Sequence, residues 1–310
     1  MAAREACSQA DYDIQTCILS RTHRFELTPL LTLMKPVLYV YPPSVWATVP
    51  ELALIELGYA PGAVLRQVVD LSKGENLGPD FYKVTKHATL PVLEADGKHY
   101  TSTIEVTKYF VEHAPSPGKT GKHQAVIDAV HAEELDPNFA KIAARCENEL
   151  GKKQSIGVSR FVSGRHAAAV KYAASQPEMK AFYESKLPQL KELDALFSGT
   201  ASAEEQQAFF QQSNEHWKKI DSFIWDKLPS YLPRSGFIEG PGPGEADFHV
   251  AAWLARIVDC CVDTHSTNCN DDMQALAKEL GDEVPEEVER YWTAWGHRES
   301  WKTVYRDGLH

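Results

Sequence analysis

The 310-residue chain has no run of about 18 consecutive apolar residues, so no segment is read as spanning a bilayer. It has no basic excess either: 32 Lys and Arg stand against 43 Asp and Glu, a net charge of −11. A partner held through phosphate contacts needs cations that displace counterions, so nucleic acid is not an expected partner. An anionic membrane surface is disfavoured for the same reason. Cysteine pairs are also lacking. Cys7, Cys17, Cys146, Cys260, Cys261 and Cys269 include no C-x-x-C, and none lies between residues 18 and 145. Scattered thiols suit a reducing compartment better than a disulfide framework, and a cytoplasmic location is expected. No repeat or low-complexity tract is visible. What is present, 43% apolar and 24% charged residues, is the composition of a folded protein. The length allows about two modest cores.

Residues 1–35 read as a loosely ordered extension. Leu27 to Met34 (LTPLLTLM) is apolar but short, and Glu5, Asp11, Asp13 and Glu26 spoil both a secretory and a transit-peptide reading. From residue 36 the pattern becomes regular. Val37 to Tyr41 (VLYVY) is a short apolar run of the kind that forms a buried strand, ended by Pro42-Pro43. Thr48-Val49-Pro50-Glu51 offers a capping box with proline in the first turn of a helix, which Gly58 ends. Ala63 to Leu71 alternates well enough for a second strand, and a helical stretch around Phe81 to Val84 follows.

The stretch ATLPVLEADGKHY then predicts a hairpin, because Asp96-Gly97 supplies the positive φ values of a type I′ turn. Pro91 at its head cannot donate to a sheet ladder, so it belongs to a strand's first residue, an edge or a special turn. A helix through Val106, Tyr109, Phe110 and His113 completes a β-α-β-α-β-β-α order, whose first crossover should be parallel and right-handed. This is a thioredoxin-like α/β half over residues 36–114. The Pro- and Gly-rich connector 115–121 (PSPGKTG) marks a boundary, and 122–310 reads as an all-helical domain. Its helices are expected near 122–150, 157–175, 178–197, 203–228, 245–262 and 285–304.

A thioredoxin-like half with a proline opening its third strand, followed by an all-helical half, resembles the cytosolic glutathione transferases. The resemblance is to serine-type members, closest to fungal glutathione-transferase-like proteins, and covers roughly Pro36 to Trp301. LYVYPPSVWATVPELALIELG looks like the strand, loop and helix in which the first serine after the strand contacts the glutathione sulfur; here that is Ser44. ATLPVL is similar to the family's cis-proline motif, so Leu90 and Pro91 would meet the cysteinyl amide. Ser102-Thr103 matches the residues at the start of the third helix that bind the γ-glutamyl carboxylate, an anion suited to a helix N-terminus. Asn76 aligns with a glutathione-contacting position. GPGPGEADFHVAAW is similar to the helix that carries a buried capping acid, here Asp247, whose role is structural. The sequence departs from the pattern at Thr85-Lys86, where the family has Asn-Pro, and at Gly244, where it has Ser or Thr. Residues 150–215 are longer than the family norm.

The chemistry explains why a serine belongs there. A free thiol has a pKa of about 8.5 and only the thiolate attacks well. A hydroxyl donor aimed at sulfur beside a helix N-terminus favours the anion without adding a competing nucleophile. The resemblance thus implies glutathione as co-substrate, no metal, a hydrophobic electrophile with Tyr41 and Trp46 beside it, and a homodimer. Isomerisation or ether cleavage by the same thiolate is equally open. A non-catalytic regulator or scaffold on the same fold is the alternative. Tyr39 and Tyr41 read as core and pocket-wall aromatics rather than as thiol-activating hydroxyls. Gly118-Lys119-Thr120 lacks the first glycine of a phosphate-binding loop. Cys260, Cys261, His265 and Cys269 fit structural zinc spacing poorly and read as helix thiols with a loop histidine. Trp46, Trp292, Trp295 and Trp301 either wall the pocket or pack in the core.

Overall fold

The computed structural model describes residues 35–116, 122–155, 157–262 and 269–310. All but the last residue of the expected 1–35 extension, most of the 115–121 connector and His265 lie outside the described residues. Four strands, β1 (Val37–Val40), β2 (Leu65–Val68), β3 (Val92–Ala95) and β4 (Lys98–Tyr100), form one sheet in the order β2-β1-β3-β4. β1 and β2 are parallel, and β3 lies antiparallel to both β1 and β4, which is the thioredoxin-like arrangement. Asp96 and Gly97 take φ of 53° and 72°, the two positive values that the hairpin requires. Leu38 and Leu93 are fully buried in the sheet, whereas every residue of edge strand β2 is exposed.

Helix α1 (Val45–Glu56) follows β1 and corrects the predicted capping box. The helix begins four residues earlier than Pro50 and Glu51 suggested, because Ser44 caps it and Thr48 is already inside. Thr48 Oγ1 turns back to the Ser44 carbonyl at 3.1 Å, and Glu51 pairs with Arg66 on β2 at 2.7 Å. Pro50 is therefore an interior proline, and the Trp46 carbonyl lacks its usual i+4 donor. Gly58, with φ of 76°, sits just past the end as expected. Helices α2 (Pro79–Val84) and α3 (Thr103–Glu112) complete this half.

The helical part contains α4 (Gln124–Val130), α5 (Pro137–Ile142), α6 (Glu147–Ser155), α7 (Gly157–Ser175), α8 (Lys180–Ser198), α9 (Ala203–Ser222), α10 (Leu228–Tyr231), α11 (Glu245–Cys261), α12 (Cys269–Leu280), α13 (Glu286–Gly296) and α14 (Glu299–Val304). The single helix expected over 122–150 is broken because Asp136 caps a new helix at Pro137, accepting from the Asn138 N–H at 3.0 Å. α12 was not expected. α11 is the central rod: Phe248, Val250, Ala252, Trp253, Leu254, Ala255, Ile257 and Val258 have no exposed surface, so its apolar residues run all round the helix. It packs on α1 on one side and on α4, α5 and α12 on others.

Within residues 150–215, α7 and α8 pack on each other, and the pair docks on the thioredoxin-like half. Tyr183 donates its hydroxyl to the Leu77 carbonyl at 2.9 Å, and Phe182 and Tyr183 cluster with Leu77 and Ala88. The approach is close enough to demand glycine. A Cβ on Gly164 would fall 2.6 Å from the Ser72 carbonyl oxygen. Gly164→Ala is therefore expected to cost about 1–3 kcal/mol of stability, as overpacking does, and urea unfolding measures it. An unchanged midpoint would mean that α7 does not rest on this turn.

Candidate functional site

Ser44 stands at the junction of β1 and α1. Its backbone is extended, its N–H donates to the Tyr41 carbonyl at 2.8 Å, and its Oγ accepts from the Ala47 N–H at a long 3.4 Å. The same Ala47 N–H also reaches the Ser44 carbonyl at 3.1 Å, so the hydroxyl is only weakly engaged as acceptor, and its own proton has no acceptor among the described residues. The preceding loop is fastened from below by α11, where Arg256 donates to the Pro43 carbonyl at 2.7 Å. The sequence offers little to announce that tie.

Ser44 and Tyr41 line a cavity of about 540 Å³. Its other walls come from the helical part, with Ile142, Val158, Phe161, Val162, Leu190 and Leu193 supplying apolar surface. Leu309 and His310 close one side, and His310 Nε2 sits 3.1 Å from Thr48 Oγ1. Lys141, Arg165 and Arg256 bring three cations to the wall against one carboxylate, Asp259. None of these four was singled out from sequence. Arg256 and Asp259 stand three apart on α11, which is a pattern common to solvated helices, and only the fold turns them inward.

The proline at the head of β3 is cis, Leu90–Pro91, and both residues are buried. The β1–β3 register pairs Tyr39 with Val92, so continuing it sets Leu90 level with Tyr41, three residues before Ser44. Among the described residues the Leu90 backbone has no hydrogen-bond partner. Asn76, in contrast, is turned inward and 2% exposed. Its Nδ2 donates to the Ala88 carbonyl at 2.6 Å and its Oδ1 accepts from Arg165 at 3.1 Å, so its amide braces the approach to the cis-proline and does not face the cavity. Ala88 holds the left-handed conformation, with φ of 57°, that this brace secures.

Ser102 caps α3 in a full capping box with Glu105. Glu105 takes the N–H groups of Thr101 and Ser102, at 3.1 and 3.2 Å, and Ser102 Oγ takes that of Glu105. The N–H groups of Thr103 and Ile104 have no partner among the described residues. Leu90, Pro91, Ser102 and Thr103 do not line the 540 Å³ cavity; Tyr41 and Ser44 do. Trp46 does not line it either. Its ring stacks on His131 with centroids 3.9 Å apart, a packing position and not a pocket wall. Trp292, Trp295 and Trp301 are buried in the core. Tyr39 is 8% exposed with its hydroxyl on Glu94 at 3.2 Å, as befits a core residue.

Behind Trp46, His131 and His249 share a hydrogen bond of 2.8 Å. Burial pulls His131 down to about 4 and His249 well below its ordinary value, so both are neutral near pH 7. The unfolded chain, with histidines near 6.5, binds more protons between those values, and stability is lost as the pH falls through that window. The gap at His131 alone is worth about 3 kcal/mol. Urea unfolding at pH 7 and pH 5 is expected to show a marked drop in midpoint, and His131→Phe a flatter dependence; equal midpoints would contradict a neutral buried pair. Asp247 is fully buried and accepts from the N–H groups of Ile238, Glu239 and Gly244 and from the Tyr291 hydroxyl. With no side chain at Gly244, the acid supplies its half of the cap alone.

Residues 38–118 match the family Glutathione S-transferase, N-terminal domain. Among solved structures the chain is similar to the beta-etherase LigF of Sphingobium sp. strain SYK-6, with 16% identity over 89% of this chain and 100% of that one and a TM-score of 0.50. It is similar likewise to glutathione transferase F7 of Populus trichocarpa, with 14% identity, coverage of 87% and 98%, and a TM-score of 0.50. A glutathione transferase homolog from sulfitobacter, solved with bound glutathione, is 15% identical over 89% of this chain and 100% of that one, with a TM-score of 0.48. No curated protein matches the sequence. The fold is thus that of the glutathione transferases, a thioredoxin-like domain with a four-stranded mixed sheet joined to a helical region, and the N-terminal half carries that family's domain. Among the described residues no helix is long and apolar enough to cross a membrane.

Proposed function

We propose that the protein is a glutathione transferase that ionises the glutathione thiol at Ser44 and directs the sulfur to a hydrophobic electrophile in the adjoining cavity. The observation that carries the reading is the placement of Ser44: an uncommitted hydroxyl at the N-terminus of α1, on the wall of a largely apolar cavity, three residues beyond the strand position level with Leu90. In this reading the Leu90 backbone, set by the cis bond to Pro91, pairs with the cysteinyl amide. The N–H groups of Thr103 and Ile104 take the γ-glutamyl carboxylate, with Ser102 capping the same turn. Asn76 acts as a positioning residue beneath the cis-proline. Tyr41 forms the wall between sulfur and electrophile.

The magnitudes suffice. A charge-assisted hydrogen bond contributes about 1.5–3 kcal/mol and a helix N-terminus about 0.3–1 kcal/mol. Their sum, about 1.8–4 kcal/mol, brackets the roughly 2.7 kcal/mol needed to lower a thiol pKa by two. Addition, ether cleavage and double-bond isomerisation all begin from this thiolate, so the reaction is set by which carbon the cavity presents. A homodimer in the cytoplasm belongs to the same proposal. A non-catalytic scaffold on this fold is favoured by one feature, the Glu105 carboxylate already seated on two N–H groups beside the α3 terminus.

Incubation with glutathione and an aryl halide, a β-aryl ether or a cis-enone, with products identified by mass spectrometry, separates these outcomes. Turnover that saturates with glutathione supports the enzyme. Absence of turnover together with absence of saturable glutathione binding leaves the scaffold.

A further inference from the structure

Three cations and one carboxylate on the cavity wall give it an excess of positive charge inside a protein whose net charge is −11. Two of the cations are compensated. Lys141 Nζ lies 2.6 Å from Asp259 Oδ2, and Arg256 Nε lies 3.7 Å from the same oxygen while Nη2 holds the Pro43 carbonyl. Arg165 is different. Its Nη1 donates to the Leu71 carbonyl at 3.0 Å and to Asn76 Oδ1 at 3.1 Å, both neutral acceptors, and no carboxylate pairs with it among the described residues. Burial pulls its guanidinium below the ordinary value, and the sole opposing influence is Tyr41. Arg165 is partly buried, and with 43 acidic residues in the chain its lack of a carboxylate partner among the described residues is not for want of supply.

The donor count shows what is left over. A guanidinium has five N–H groups in a planar fork. Both hydrogens of Nη1 are used by the chain, which leaves the Nε and Nη2 edge, the side that receives a carboxylate with two parallel bonds. Phe161, one turn earlier on α7, lies beneath the group with its ring centroid 5.4 Å from the guanidinium carbon. Nη1 is thus spent on fixing the fork in place, and Arg165 lines a cavity in which the other two cations, Lys141 and Arg256, are already matched by Asp259.

A carboxylate at this edge has two possible sources, the electrophile or glutathione itself. Position favours the electrophile. The residues assigned to glutathione other than Ser44, namely Leu90, Pro91, Ser102 and Thr103, lie outside the cavity lining, whereas Arg165 shares its wall with Phe161 and Val162 of the helical part. We propose that the electrophile accepted by this protein is an acid, its carboxylate bound side-on by Nε and Nη2 of Arg165 while its apolar body lies along α5, α7 and α8 with the reactive carbon toward Ser44. This rests on the conjugation reading above and adds the substrate class. Arg165 is then a specificity residue, and it comes from α7.

The test uses 4-chloro-3,5-dinitrobenzoate and its methyl ester, two electrophiles of one reactivity type that differ in charge. In each, the thiolate sulfur forms a bond to the chlorine-bearing ring carbon, chloride leaves with the C–Cl electron pair, and the thiol proton has passed to solvent. The full chain is expected to favour the acid over the ester in kcat/KM by about 10- to 100-fold, the range of a hydrogen-bonded charge pair. Arg165→Met is expected to collapse that ratio toward one, and Arg165→Lys to retain part of it.

Calorimetry of the two preformed S-conjugates gives a second readout that needs no turnover. The acid conjugate should bind more tightly, and the difference should vanish in Arg165→Met. If neither electrophile reacts, the conjugation reading fails alone and the conjugate pair still decides the acid inference. An acid-to-ester ratio near one in the unaltered protein would overturn it. So would an Arg165→Met variant that keeps the ratio and instead raises KM for glutathione, because the carboxylate would then be glutathione's own. Should Arg165→Met fail to fold, Arg165→Gln and Arg165→Lys carry the comparison, with thermal melting as the control.

Discussion

Replacing Ser44 by alanine is expected to lower kcat/KM for glutathione conjugation by about 100- to 1,000-fold, the loss typical of removing one preorganised donor to a developing anion. The effect should fall on the chemical step. Leu90, Thr103 and Ile104 are unaffected by the change, so KM for glutathione should move little while kcat falls. The fold should also survive. Ser44 Oγ caps α1 over a long 3.4 Å contact, and the Ala47 N–H keeps the Ser44 carbonyl at 3.1 Å, so the cost in stability is about 0.5–1 kcal/mol. Ser44→Cys is a useful companion: supplied with oxidised glutathione, its thiolate should attack one disulfide sulfur, form the mixed disulfide and release glutathione thiolate as the original S–S bond breaks. An alanine variant with undiminished kcat would assign the thiol's ionisation elsewhere, with Arg256 or His310 on the same wall as the next candidates.

Asp247→Ala is expected to be the most destabilising single change outside the apolar core, costing about 3–5 kcal/mol. The reason is local. The carboxylate receives N–H groups from Ile238 at 2.7 Å, Glu239 at 3.1 Å and Gly244 at 3.0 Å, and the Tyr291 hydroxyl at 3.1 Å. Alanine removes the acceptor of the buried Ile238 and Gly244 N–H groups, each such unsatisfied group costing about 1–3 kcal/mol, while the Tyr291 hydroxyl keeps the residue 247 carbonyl at 3.2 Å. Burial raises the Asp247 carboxyl to about 6, while the four donors pull the other way. Tyr291→Phe removes only one donor and should cost about 1 kcal/mol. Urea unfolding of both variants measures the difference. A small loss in Asp247→Ala would mean that α11 holds its start through packing alone, with Trp253 and its neighbours sufficient without the cap.

The thioredoxin-like half was legible because its signals are local. Asp96-Gly97 forces a hairpin, Pro91 cannot sit inside a ladder, and Gly58 stops a helix, each through the backbone of one or two residues. The start of α1 was misread for the same reason: Thr48 and Glu51 satisfy a local capping pattern, but tertiary contacts with His310 and Arg66 claim those side chains. In the helical half, Pro137 divided a run that apolar periodicity had joined, and α12 carried too many polar residues to be noticed. Ser44, Tyr41 and Leu90–Pro91 were marked through the family resemblance, which is carried by the short stretches after β1 and before β3. Arg165, Lys141, Arg256 and Asp259 could not, since nothing in a helix sequence tells which way its charged face will be turned. Asn76, expected at glutathione, has its amide on Ala88 and Arg165, and Trp46, expected at the electrophile pocket, stacks on His131.

The central claim is that this protein lowers the pKa of bound glutathione through Ser44. The direct measurement is the ultraviolet absorbance of the thiolate in the glutathione complex, followed across pH from 5 to 9 for the unaltered chain and for Ser44→Ala. The bound thiol is expected to ionise roughly two below its free value of about 8.5 and to return toward that value in the alanine variant. A complex that forms but titrates at the free value in both proteins would contradict it.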